Sequence, residues 1–207
     1  MLYKTTTKLF RGIYQYKIVL VCPGASYFRE SVEGALAHLK KVDLNINRHA
    51  TRSSFIKTQE QLDYALKLQS VLSKLSDIDV RVESPWISIY SNTKSDIDKI
   101  ANIDTEQVKY ISKPSSSTGL AAGTIIMPKM DYEYRVTLGK TIQEHDSFIS
   151  WADSNKKVKL TKSCINALSK PRSWGGTHFY ITGDNNLLMA KMHLGGSIAK
   201  VERIIKA

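Results

Sequence analysis

A seven-residue pattern occurs twice in this chain. Tyr14-Gln-Tyr-Lys-Ile-Val-Leu20 and Tyr132-Glu-Tyr-Arg-Val-Thr-Leu138 share Tyr-x-Tyr-basic-β-branched-x-Leu at an offset of 118 residues. Trp86-Ile-Ser-Ile-Tyr-Ser-Asn92 resembles His178-Phe-Tyr-Ile-Thr-Gly-Asp184 at an offset of 92, and Val108–Ser112 answers Val201–Ile205. Matches that recur in the same order point to an internal duplication, so each half is expected to be one structural unit. The fall in offset from 118 to 92 places 26 extra residues in the first half, between its first and third strands. A chain of 207 residues has room for two such units, each near the ~100 residues that support a core.

Local patterns fill in each half. Tyr14–Val21 reads as a strand by its β-branched content, and residues 29–41 read as a helix with Val32, Ala35, Leu36 and Leu39 on one stripe. Thr58-Gln-Glu-Gln61 is a capping box that opens a second helix. Val80–Glu83 and Trp86–Tyr90 read as strands, Thr93-Lys-Ser-Asp96 caps a short helix, and Val108–Lys113 closes the half. The second half runs similarly: strand Tyr132–Leu138, a helix with Phe148 and Trp151, strand Lys157–Leu160 and an added helix Thr161–Leu168. Strand His178–Thr182, helix Asn185–Leu194 and strand Ala199–Ile205 complete it; Gly123–Met127 adds a strand in front, and Met189 and Met192 are expected in the core. The fold class is therefore α+β, with two tandem ferredoxin-like units of order β-α-β-β-α-β. Residues 1–113 form the first, with an inserted basic loop at about 40–57; 114–122, opening with Pro114-Ser-Ser-Ser-Thr-Gly119, form a linker; and 123–207 form the second.

The net charge of +11 is uneven. Residues 1–57 hold 10 cations against 3 acids, residues 58–113 hold 7 against 9, and the remainder hold 13 against 7. A basic excess concentrated in two segments points to a polyanionic partner. No apolar run approaches the ~18 residues of a membrane span, and no membrane partner is expected. Two cysteines, Cys22 and Cys164, cannot make a disulfide framework. With no apolar signal region in the first ten residues, a reducing, cytoplasmic location is expected.

Strand alternation places the chemistry. Tyr16, Ile18 and Leu20 share one face of the first strand, as Tyr134, Val136 and Leu138 do in its repeat. These apolar faces should meet the helices, leaving Lys17 and Arg135 on the uncovered faces. On the third strands Ile87 and Ile89, or Phe179 and Ile181, point inward, so Trp86 and Tyr90, or His178 and Tyr180, point out. Each open face then combines a cation with aromatic rings, which stack on unpaired bases while the cation neutralises phosphate. Packing of these faces against each other or against a partner protein is the competing expectation. Arg48, His49 and Arg52 lie in a stretch with no acid between Asp43 and Glu60, suited to a phosphate backbone. Lys170-Pro-Arg-Ser-Trp-Gly-Gly176 adds Arg172 and Trp174. Gly195-Gly196 offers amides to phosphate or, more simply, ends a helix. No zinc spacing, HExxH or Walker loop occurs, so no metal, cofactor or catalytic residue is assigned.

Tandem units carrying Tyr14–Leu20, Tyr132–Leu138 and the Gly195-Gly196 turn before the final strand resemble the repeat-associated RNA-binding (RAMP) superfamily of CRISPR systems. That resemblance implies the duplicated ferredoxin-like fold and an affinity for RNA. The expected function is non-enzymatic binding of single-stranded nucleic acid, RNA favoured, through Lys17, Arg48, Arg52, Trp86, Tyr90, Arg135, Arg172, Trp174, His178 and Tyr180. The alternatives are a metal-independent endoribonuclease of RAMP type, and a structural or assembly subunit, such as one of a virion, whose sheets bind protein or a second copy of the chain.

Overall fold

A computed structural model describes residues 2–47, 55–116, 119–140, 145–169 and 176–206. The chain divides into two compact units, Met1–Leu120 and Ala121–Ala207, each a five-stranded sheet with helices. The predicted basic residues Arg48, His49, Arg52 and Arg172, with Trp174, lie outside the described residues.

The first unit holds strands β1 (Tyr3–Thr6), β2 (Tyr16–Val21), β3 (Ile78–Glu83), β4 (Trp86–Ser91) and β5 (Val108–Pro114). Its helices are α1 (Val32–Leu39), α2 (Leu44–Asn47), α3 (Gln59–Leu72) and α4 (Lys94–Ala101). The strand order is β1-β5-β2-β4-β3. The second unit holds β6 (Thr124–Ile126), β7 (Tyr134–Leu138), β8 (Val158–Leu160), β9 (His178–Ile181) and β10 (Ile198–Ile205), with α5 (Asp146–Ser154), α6 (Lys162–Leu168) and α7 (Asp184–Leu194). Its order, β6-β10-β7-β9-β8, is that of the first sheet with five added to every strand number. In both, the leading strand runs parallel to the last one at the sheet edge. β6 is expected from the sequence, whereas β1 is not, being short and exposed and carrying no apolar run.

Helices cover one face of each sheet. Ile18, Leu20, Ile87 and Ile89 are fully buried beneath Ala35, Leu39, Leu68, Leu72, Ile97 and Ile100. Val136, Leu138, Phe179 and Ile181 pack likewise on Phe148, Ala152, Cys164, Leu168, Ala190 and Leu194. The inward faces are those that alternation assigns, because side chains of a strand change face at every residue. Helix α3 starts at its expected cap: Thr58 Oγ1 accepts from the Gln61 amide at 3.3 Å, while the Gln61 side chain accepts from the Lys57 amide at 2.8 Å and not from that of Thr58 as the full capping box would have it. Helix α4 departs from expectation, since Thr93 makes no side-chain capping bond. Glycine is required at Gly24, where φ is +82° and an added Cβ would stand 2.6 Å from the Ile56 side chain. Gly195 ends α7 and its amide donates to the Lys191 carbonyl, but with φ +48° and ψ −126° it lies outside the left-handed helical region of the usual glycine cap.

Two expectations are corrected. Met189 and Met192 are 41% and 72% exposed rather than in the core. The buried stripe of α7 is Leu187, Ala190 and Leu194, and the helix turns the methionines away from it. The register also differs from the sequence matches. Lys17 pairs with Tyr90 and Arg135 with Tyr180, so the third strands correspond at an offset of 90, not 92. Ile111 and Val201, opposite Ile18 and Val136, fix the last strands at 90 as well, where the sequence match implies 93. Similar residues two places apart on one strand share a face, so the first slip leaves the inward and outward assignments intact.

Candidate nucleic-acid interface

The uncovered face of the first sheet carries a row of cations laid on aromatic rings. Lys17 Nζ lies 5.5 Å from the Tyr90 ring centre and 5.7 Å from that of Tyr110. Lys4 Nζ sits 4.0 Å above Tyr110, and Lys109 Nζ sits 3.4 Å above Trp86. The ring quadrupole attracts each ammonium without cancelling its charge. Among the described residues, none of Lys4, Lys17 and Lys109 is in an ion pair. Trp86 is 41% exposed, the outward position expected of it. Lys4, Lys109 and Tyr110 escape the sequence reading. Tyr110 and Ser112 alternate with buried Ile111, a signal present in the chain, whereas Lys4 depends on the missed β1 and Lys109 on a bulge that shifts the β2–β5 register.

Tyr90 does not present its ring to solvent. It is 5% exposed, beneath a turn between β1 and β2 that brings Phe10 within 5.9 Å and Tyr14 within 6.2 Å of it. Arg11 of the same turn lies 5.3 Å from the ring and pairs with Asp79. Tyr180 is covered in the same way. Tyr132 stands 6.1 Å from it, and Ile125, Ile204, Met127 and Met130 pack around it. The expectation of two outward, partly exposed tyrosines is therefore corrected: each unit folds its own leading segment over the ring.

The second open face is chemically different from the first. Arg135 occupies the Lys17 position, but its Nε lies 3.9 Å from Glu202 Oε2. Glu202 is 3% exposed and also receives Lys200 Nζ at 2.7 Å. Buried carboxylates persist when cations and hydrogen bonds compensate the lost solvation. Arg135 thus has an internal counterion, and Lys17 has none among the described residues. His178 Nε2 and Tyr180 Oη are 3.1 Å apart, with the rings edge to face. Burial, and secondarily the Arg135 charge, push the His178 pKa down, so its imidazole stays neutral near pH 7.

Both cysteines are free and buried, and burial alone raises each thiol to about 12. Neither is a nucleophile at neutral pH. Among the described residues no group of three metal-ligating side chains exists, and no helix is long and apolar enough to cross a membrane. No protein-family model, curated protein or solved structure matches the chain.

Proposed function

We propose that the chain binds single-stranded nucleic acid, RNA favoured, across the open face of its first sheet. The carrying observation is the strip Lys4–Tyr110–Lys17 with Lys109–Trp86, where ammonium groups with no ion pair among the described residues alternate with rings. Backbone phosphates would sit on the lysines while bases stack on Trp86 and Tyr110, a mode that tolerates any sequence. The two units are read as ferredoxin-like domains related by duplication. Supporting this are the last-first-third-second order of the four strands that remain in each sheet once its leading edge strand is set aside, and the helices on one face. The preference for RNA rests on the RAMP resemblance of Tyr14–Leu20, Tyr132–Leu138 and Gly195-Gly196. Tyr90, Arg135, His178 and Tyr180 act in this reading as supports for the two faces, since their own unit already occupies them.

The test is fluorescence anisotropy of a labelled single-stranded RNA at low salt, with the DNA of the same sequence alongside. Trp86→Ala and Tyr110→Ala should each weaken binding by about 1–3 kcal/mol. Unfolding midpoints are expected to move little. Absence of binding by the parent protein, or full binding by both variants, overturns the proposal.

A further inference from the structure

In the second unit Tyr134 Oη donates to Asp184 Oδ1 at 2.5 Å. Asp184 is the first residue of α7, and Arg203 on β10 supplies a cation that acts on the same hydroxyl. The first unit repeats every position of this group but one. Tyr134 lies opposite Ile181 with α7 starting three residues later; Tyr16 lies opposite Ser91 with α4 starting three residues later, on Lys94. Lys113 follows Ser112, which pairs with Lys17, just as Arg203 follows Glu202, which pairs with Arg135. The tyrosine and the strand cation are thus kept, and the carboxylate is replaced by a lysine.

Around Tyr16, Lys94 and Lys113 lies a cavity of about 530 Å³, also lined by Thr5 and Ser115, on the helix-covered side of the sheet. Among the described residues Lys94 reaches a carboxylate only at Asp98, 3.9 Å away and exposed, and Lys113 Nζ lies 5.8 Å from the Tyr3 ring. Exposed i,i+4 pairs of this kind are weak, which leaves Lys94 able to turn to a stronger anion.

We propose that this cavity binds the phosphate group of a phosphate monoester, which takes the place that the Asp184 carboxylate fills in the second unit. A phosphate dianion brings three acceptor oxygens to two ammonium groups and a phenol, and charge-assisted bonds of this type are the strong ones. The volume leaves space for the esterified group beyond the phosphate. This site uses neither the residues nor the face of the nucleic-acid reading and stands without it.

The experiment is thermal melting and calorimetric titration of the full chain with sodium phosphate, against sodium chloride at matched ionic strength. Phosphate should raise the melting temperature saturably. Lys94→Asp, which installs the second unit's residue, should fold and lose the response, and Lys113→Ala should lower phosphate affinity about tenfold or more. Phosphate stabilises proteins generally by exclusion from their surface, so the difference between parent and variant is the reading. Should Lys94→Asp fold poorly, Lys94→Ala is read in its place. A phosphate response equal in parent and Lys94 variant, or none in the parent, overturns the proposal. A 5′-phosphorylated oligonucleotide that outbinds its 5′-hydroxyl form, only with Lys94 present, identifies a strand end as the source. A Lys94-dependent response to ribose 5-phosphate with no such gain identifies a small metabolite.

Discussion

The Tyr14 ring lies 6.2 Å from the Tyr90 ring at an interplanar angle of 30°. The second unit repeats this pair almost unchanged, with Tyr132 and Tyr180 at 6.1 Å and 33°. Tyr14 and Tyr132 are the first residues of the repeated heptapeptide. The motif therefore supplies the central strand and also the ring that closes the open face in front of it. Tyr90→Ala and Tyr180→Ala should each cost about 3 kcal/mol or more, as large-to-small core changes do. Urea denaturation checks this, and near-wild-type stability would show that the rings are not packed.

Lys17 and Arg135 share a repeat position but differ in their neighbours. For a single-stranded ligand each lost phosphate contact lowers the salt slope by about 0.7. Lys4→Ala, Lys17→Ala and Lys109→Ala should each show this change in log affinity against log salt. Arg135→Ala should leave the slope unchanged, because Glu202 already holds that charge.

Glu202 is the buried partner of two cations. Removing it leaves Arg135, largely buried itself, without compensation. Glu202→Ala should lose about 2–4 kcal/mol of stability in chemical denaturation, below the upper limit for a buried pair because Lys200 is half exposed. The lost stability should return in part with Glu202→Gln.

The neutral His178 makes a pH prediction. Its folded pKa lies below the ordinary 6.5, so in the window beneath that value the unfolded chain binds the proton and the folded chain does not. Its contribution is therefore complete above the ordinary pKa and is lost as pH falls from about 6.5 toward the folded value. The melting temperature of the parent should drop more steeply between pH 7 and pH 5 than that of His178→Gln. Parallel curves would remove His178 from the acid response.

Cys22 and Cys164 should resist a thiol reagent in the folded protein at pH 8, since both are buried and protonated. Reaction of both in denaturant, at a rate typical of free thiols, completes the expected result. Fast labelling of either in the native state would contradict its burial.

The repeated pattern, most of the strands and which of their residues point inward were legible from residue order alone. Those properties are local: alternation needs only neighbouring residues, and Ile18, Leu20, Ile87 and Ile89 announce their face through it. The helix cap at Thr58 is likewise readable, because its partner is three residues away. The register was beyond reach, since the match of Val108 with Val201 follows composition while hydrogen bonding aligns Ile111 with Val201. The interface was only half legible for a related reason. Trp86 and Lys17 follow from alternation, but the cover on Tyr90 and the counterion of Arg135 come from segments about 70 to 80 residues distant in the chain. Alternation says which way a side chain points. Only the tertiary structure decides what meets it there, and so whether a cation on an open face is free for a phosphate or already paired.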